Sequence, residues 1–252
     1  MQTLKSLLDP SKESSYRIVV FVASVATLVW LVSSSRGFAG TLRFVLPGVS
    51  ITLSLTVLSF SIGFVLGLLA ALGMISDNYI LQSIATFYVR VIRGIPVLVV
   101  ILYIGLVAIP MISNSLGVGR LDGFARAVIA LALTSGGYQA EIIRAGIQSI
   151  PKGQHEAARA IGMGYFRTMR YIILPQVIRM ILPSLANEFI ISLKDSSLAS
   201  ALGVSDLTRM GQLNVSRTRD TFTTWNIVTL QYLIMTVTLS FLAEKLRKNV
   251  ES

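Results

Sequence analysis

The amino-acid sequence predicts an all-α, polytopic membrane protein, and three observations carry that prediction. The 252 residues are 53% hydrophobic and only 13% charged, against about 25% charged in an ordinary soluble domain. Residues 18–35, 44–76, 95–115 and 221–243 hold no Asp, Glu, Lys or Arg. A helix needs about 20 mainly apolar residues to cross the hydrocarbon of a bilayer. Two weaker segments, 124–146 and 177–194, have the length but carry polar groups inside them, for an expected total of six spans.

The apolar run 18–32 is short and is followed by Ser33, Ser34 and Ser35. Such a run could close a signal peptide, but the long leader with Asp9 and Glu13 favours a retained helix. Pro47 suits the first turn of the next helix, where its missing N–H costs nothing, and that helix should run to Met74. Its Gly63 and Gly67 form a G-x-x-x-G pair, which lets another helix approach closely. Residues 77–93 read as a connection with a short amphipathic helix, broken at Gly94-Ile95-Pro96 before the next span. Glu141 and Arg144, three apart, can pair on one helical face. Residues 196–220 lack a continuous apolar run and read as an irregular or re-entrant outer segment held against protein rather than lipid.

Charge orients the chain. With a cytoplasmic N-terminus, fourteen of the 22 Lys and Arg residues fall on inner segments and eight on outer ones, the bias expected of a membrane protein. The net charge of +10 is explained by those inner loops and does not call for nucleic acid. The absence of cysteine excludes disulfides and thiolate metal sites. The only histidine, His155, cannot supply a metal cluster and reads as a surface residue.

The longest inner loop, 149–176, is the most informative segment. Its sequence predicts a short helix ended by glycine at Gly162, then a second helix stopped at Pro175. Ala157, Ala158 and Ile161, at i, i+1 and i+4, form a small apolar face able to press into a groove on another protein, with Arg159, Arg167 and Arg170 around it.

This loop resembles that of the permeases of bacterial binding-protein-dependent ABC importers. The family signature is E-A-A, three residues, G, nine residues, then I-x-L-P. Glu156-Ala157-Ala158, Gly162, Ile172, Leu174 and Pro175 match it at every spacing. The chain is also similar to the polar amino acid branch (histidine, arginine, glutamine and glutamate permeases). The similar stretches are Thr52-Leu53 with Thr56 and Gly63; Val89-Arg90 with Arg93-Gly94-Ile95-Pro96; 138–147; and 194–199.

The resemblance implies the type I, MetI-like permease fold of five core transmembrane helices, with an extra N-terminal helix here. It divides the chain into an N-terminal cytoplasmic segment and added helix at 1–40 and a permease domain at 41–252. It implies that Glu156, Ala157, Ala158, Ile161 and Gly162 couple to a separate ATP-binding subunit, present in two copies. It further implies a second permease, identical or related, an extracytoplasmic amino-acid-binding protein, a location in the cytoplasmic membrane of a bacterium or archaeon, and a cytoplasmic C-terminus. ATP would be used by the partner ATPase, with no cofactor bound by this chain.

Candidate substrate residues come from the fifth span. Glu188 and Asp195 are seven residues apart, so they share a helical face about 10 Å apart. Ionisable residues inside the membrane face a pathway or one another. Two carboxylates facing a cavity suit an ammonium group, and Asn187 and Ser197 are included as polar neighbours. The bland reading pairs Asp195 with Lys194 and Glu188 with a basic residue of another span.

Other function classes fit less well. The sequence holds no H-E-x-x-H, no G-x-S-x-G and no cysteine, so an embedded enzyme lacks a catalytic set. It holds no G-x-x-x-x-G-K-[ST] phosphate loop. A permease for another small solute remains the nearest alternative, and a passive channel or secondary carrier leaves the 149–176 loop without a role.

Overall fold

The computed structural model describes residues 37–251 apart from Val118, with side chains described to Lys245. The expected first helix at 18–32 and the segment 1–36 lie outside the described residues. Among the described residues the chain is helical, with no strand. The elements are α1 (Phe38–Val45), α2 (Pro47–Met74), α3 (Tyr79–Gly94), α4 (Val97–Ser115), α5 (Gly123–Gln148), α6 (Lys152–Ala160), α7 (Tyr165–Leu202), α8 (Leu207–Thr218) and α9 (Thr221–Glu251). Four stretches are long and apolar enough to cross a membrane: Phe38–Met74, Val97–Ser115, Tyr165–Leu202 and Thr221–Lys245.

The fifth long helix, α5, is buried at the centre against α2, α3, α4 and α7. Its 26 residues span about 39 Å. Its buried residues include Ala127, Ala130, Ala132, Thr134, Ser135, Gly136 and Ala140, small residues that admit close neighbours, beside the larger Val128, Leu131, Gln139 and Ile143. This is the arrangement expected where lipid, not water, surrounds the bundle. The matching face of α2 is Thr52, Thr56, Ser59, Gly63, Gly67 and Ala70, while its Val57, Ile62, Val65 and Leu69 point outward. Gly63 and Gly67 meet the backbone of α5: a Cβ on Gly67 would stand 2.9 Å from the Gly136 carbonyl oxygen. The expected close approach at the G-x-x-x-G pair is therefore made with α5. The Tyr88 hydroxyl donates to the Leu133 carbonyl at 2.6 Å and ties α3 to the same helix.

Two elements differ from the sequence reading. The outer segment is not irregular: it holds a 3₁₀ run, Ser196–Leu202, and the helix α8. Asp206 caps α8 by accepting from the N–H groups of Thr208 and Arg209 at 3.2 and 2.9 Å. Its polar residues are satisfied inside the protein, with the Asn214 amide donating to Thr224 Oγ1 at 2.8 Å and Thr41 Oγ1 at 3.3 Å. An apolar run is not required where such a network replaces it. Nor does Pro175 stop a helix. It sits at the second position of Leu174–Asp195, directly after a π turn, Met169–Ile173, and α7 continues through it. A second π turn, Ile104–Ala108, interrupts α4, and the Arg126 guanidinium donates to its Gly105 carbonyl at 3.2 Å.

Candidate functional site

Two regions carry the candidate residues: the loop between α5 and α7, and a polar cleft between the middles of those helices.

In the loop, α6 folds back on the opening turns of α7. Its end is a Schellman turn. Gly162 has φ +77, its N–H donates to the Arg159 carbonyl at 2.9 Å, and the Met163 N–H donates to the Ala158 carbonyl at 3.0 Å. A residue with a Cβ is disfavoured at that φ, so glycine sets this end. Glu156 and Ala157 are exposed, and Ile161 is 75% exposed. Ala158 is not: at 1% exposed it lies beneath α6, correcting its place on the outward apolar face. One residue along a helix turns by about 100°, so Ala157 and Ile161 share a face that Ala158 leaves. His155 is half-buried rather than fully solvated. Sequence reasoning missed Tyr165 and Phe166, whose rings meet edge to face with centroids 5.8 Å apart. Phe166 is 86% exposed, and an aromatic pair just past a helix-ending glycine was the available signal.

The cleft is lined by Ser59 of α2, by Leu131, Thr134, Ser135 and Tyr138 of α5, and by Glu188, Ser192 and Asp195 of α7. Glu188 and Asp195 therefore do share one face and one cavity. Neither makes an ion pair among the described residues, so the expected pairing of Glu188 with a basic residue is not found there. Lys194, next to Asp195, is exposed. Asn187 does not join them. It opens with Ser240 and Glu244 onto a separate cleft on the α9 side of α7, because neighbouring residues point in different directions around a helix. Ser197, in the 3₁₀ run, is outside the cleft lining.

The hydroxyls around the carboxylates were not foreseen. Ser135 Oγ and Ser192 Oγ lie 3.3 Å apart and join α5 to α7. The Gln139 amide donates to Ser135 Oγ at 2.7 Å and to the Phe60 carbonyl at 3.3 Å. The cavity is about 10 Å³, space for about one water and too little for an amino acid.

Comparisons with known proteins agree with this architecture. Residues 63–252 match the family described as binding-protein-dependent transport system inner membrane component. The chain is 39% identical over 206 residues to the glutamine transport system permease protein GlnP of Escherichia coli (strain K12), covering 82% of this chain and 92% of that protein. It is 38% identical to the putative glutamine transport system permease protein GlnP of Rickettsia typhi, covering 84% and 95%. Among solved structures, one described as an amino acid ABC transporter with histidines superposes with a TM-score of 0.77 at 39% identity, covering 84% of this chain and 97% of that one. The MetNI methionine ABC transporter superposes with a TM-score of 0.71 at 22% identity, covering 84% and 98%, a likeness of fold. The chain thus belongs to the binding-protein-dependent transport system inner membrane components, the membrane-embedded permease subunits of such systems.

Proposed function

We propose that this permease forms the translocation path of an ATP-driven amino acid importer, with Glu188 and Asp195 receiving the ammonium group of the substrate. The observation that carries the reading is the pair of carboxylates in a cleft of hydroxyls, neither of them in an ion pair among the described residues. A carboxylate held inside a membrane protein is costly unless something compensates it, and a substrate ammonium does so. The similarity to the glutamine permeases and to a solved amino acid transporter supports the same substrate class. The nearly closed cleft implies that α5 and α7 part to admit substrate, breaking the Ser135–Ser192 contact.

The α5–α7 loop supplies the drive. Glu156, Ala157, Ile161 and Gly162 present the contact for an ATP-binding subunit, Phe166 extends it, and Ala158 supports it from beneath. ATP hydrolysis belongs to that partner, since the sequence has no phosphate-binding loop of its own. Two ATPases need two such loops, so a second permease completes the path, and a binding protein delivers the amino acid from outside. The loop and the C-terminus face the cytoplasm, as the basic residues indicate.

The test is transport by the purified complex in proteoliposomes loaded with ATP, supplied with its binding protein and a panel of labelled amino acids. Glu188→Gln should abolish most uptake while the ATPase still copurifies. Normal uptake of every transported amino acid by an assembled Glu188→Gln complex would remove Glu188 from the path.

A further inference from the structure

One face of α5 does not stop at the carboxylate cleft. Tyr138 lines that cleft and also a second, larger one of about 740 Å³ at the loop end of the molecule. The second cleft lies between α3 and α5 and has opposite charge. Arg90 and Arg93 of α3 and Arg144 of α5 line it, against a single carboxylate, Glu141. Glu141 is already engaged, by Arg144 through two contacts and by Arg93 at 3.7 Å. Arg144 also donates to the Gln148 side chain. Arg90 has no ion pair or hydrogen bond to its side chain among the described residues. The Arg93 guanidinium lies over the Tyr138 ring, 5.8 Å from its centroid, so the ring dividing the clefts is held from the basic side.

We infer that the Arg90–Arg93–Arg144 cleft is a second station for the transported amino acid, taking its carboxylate once it has passed Tyr138. The inference rests on the reading of the Glu188–Asp195 cleft as the substrate path. An amino acid is a zwitterion. The acidic cleft attracts its ammonium end and repels its carboxylate, and the basic cleft does the reverse. Arg90 is the free group, and a guanidinium binds a carboxylate through paired N–H donors. A lipid phosphate is the competing oxyanion, but the wall shared with the carboxylate cleft favours the substrate.

The experiment is ligand binding to the assembled permease–ATPase complex in nanodiscs, without binding protein. The probes are L-glutamine, L-histidine and L-arginine, each beside its α-amide, in phosphatidylcholine and in phosphatidylglycerol. The complex should prefer at least one amino acid to its amide by roughly tenfold, the scale of one charge-assisted bond. Arg90→Gln should reduce that preference to within about twofold, and Arg90→Lys should keep much of it. Glu188→Gln should weaken binding of the amide, which only the acidic cleft accepts, and leave the Arg90-dependent preference for the acid in place. Full preference in an assembled Arg90→Gln complex overturns the station, as does failure of every probe to bind the unaltered complex. An Arg90 effect that tracks phosphatidylglycerol and treats acid and amide alike also overturns it, in favour of a lipid site. Loss of preference in Arg90→Gln with no effect of Glu188→Gln upholds the station and removes the acidic cleft instead.

Discussion

Gly162 and Phe166 do different work within one loop. The φ of +77 at Gly162 costs about 1–2 kcal/mol for a residue carrying a Cβ, enough to fray a helix of nine residues. Gly162→Ala should leave the membrane helices folded and lower the ATPase stimulation produced by loaded binding protein, measured on the reconstituted complex. Phe166 is an exposed ring that meets only the likewise exposed Tyr165 ring among the described aromatic contacts, so Phe166→Ala should leave the thermal midpoint of the isolated permease nearly unchanged. It should reduce copurification of the ATPase, as expected of an aromatic anchor. Side-chain roles here were only partly legible in sequence. The spacing from Glu156 to Pro175 was fully readable. The inward turn of Ala158 depends on α6 folding back onto α7, which is tertiary information. Asn187 was misplaced for a related reason: polarity marked it, but direction around α7 sent it to another cleft.

At the scale of elements, α5 sets the architecture. Its small-residue face against α2 leaves no room for added volume. Gly67→Leu should destabilise the bundle by about 1–3 kcal/mol, the usual cost of overpacking. Leu69→Ala, at an outward position 62% exposed, should stay within about 0.5 kcal/mol. Thermal unfolding of the two variants in the same detergent distinguishes them. The limits of α2 were plain in the sequence from Pro47 and from the uncharged run. Helix α5 was weak as a span for a physical reason: its neighbours are other helices, so Ala, Gly, Ser and Thr take the places lipid would give to Leu and Ile. Helix α8 was missed because an Asp206 cap and the Asn214 network stabilise it in place of an apolar stripe. The π turns of α4 and α7 left no mark in composition.

For the whole molecule, the distribution of basic residues makes a prediction about sidedness. The chain has no cysteine, so single introduced thiols report without background. Arg120→Cys should react with a membrane-impermeant maleimide in intact cells, and Lys152→Cys only after the membrane is opened. The reverse pattern would invert the topology and place the ATPase contact on the wrong side.

The π turn at Met169–Ile173 lies within α7, between the α5–α7 loop and Glu188. Such a turn holds one residue more than an α turn. Were it to tighten to α geometry, everything beyond it would swing by about 100° around the axis of α7. Glu188 and Asp195 would then turn away from Ser59 and Ser135. A single residue of slack thus amounts to a quarter-turn screw thread set where the stroke of the ATPase would enter the membrane.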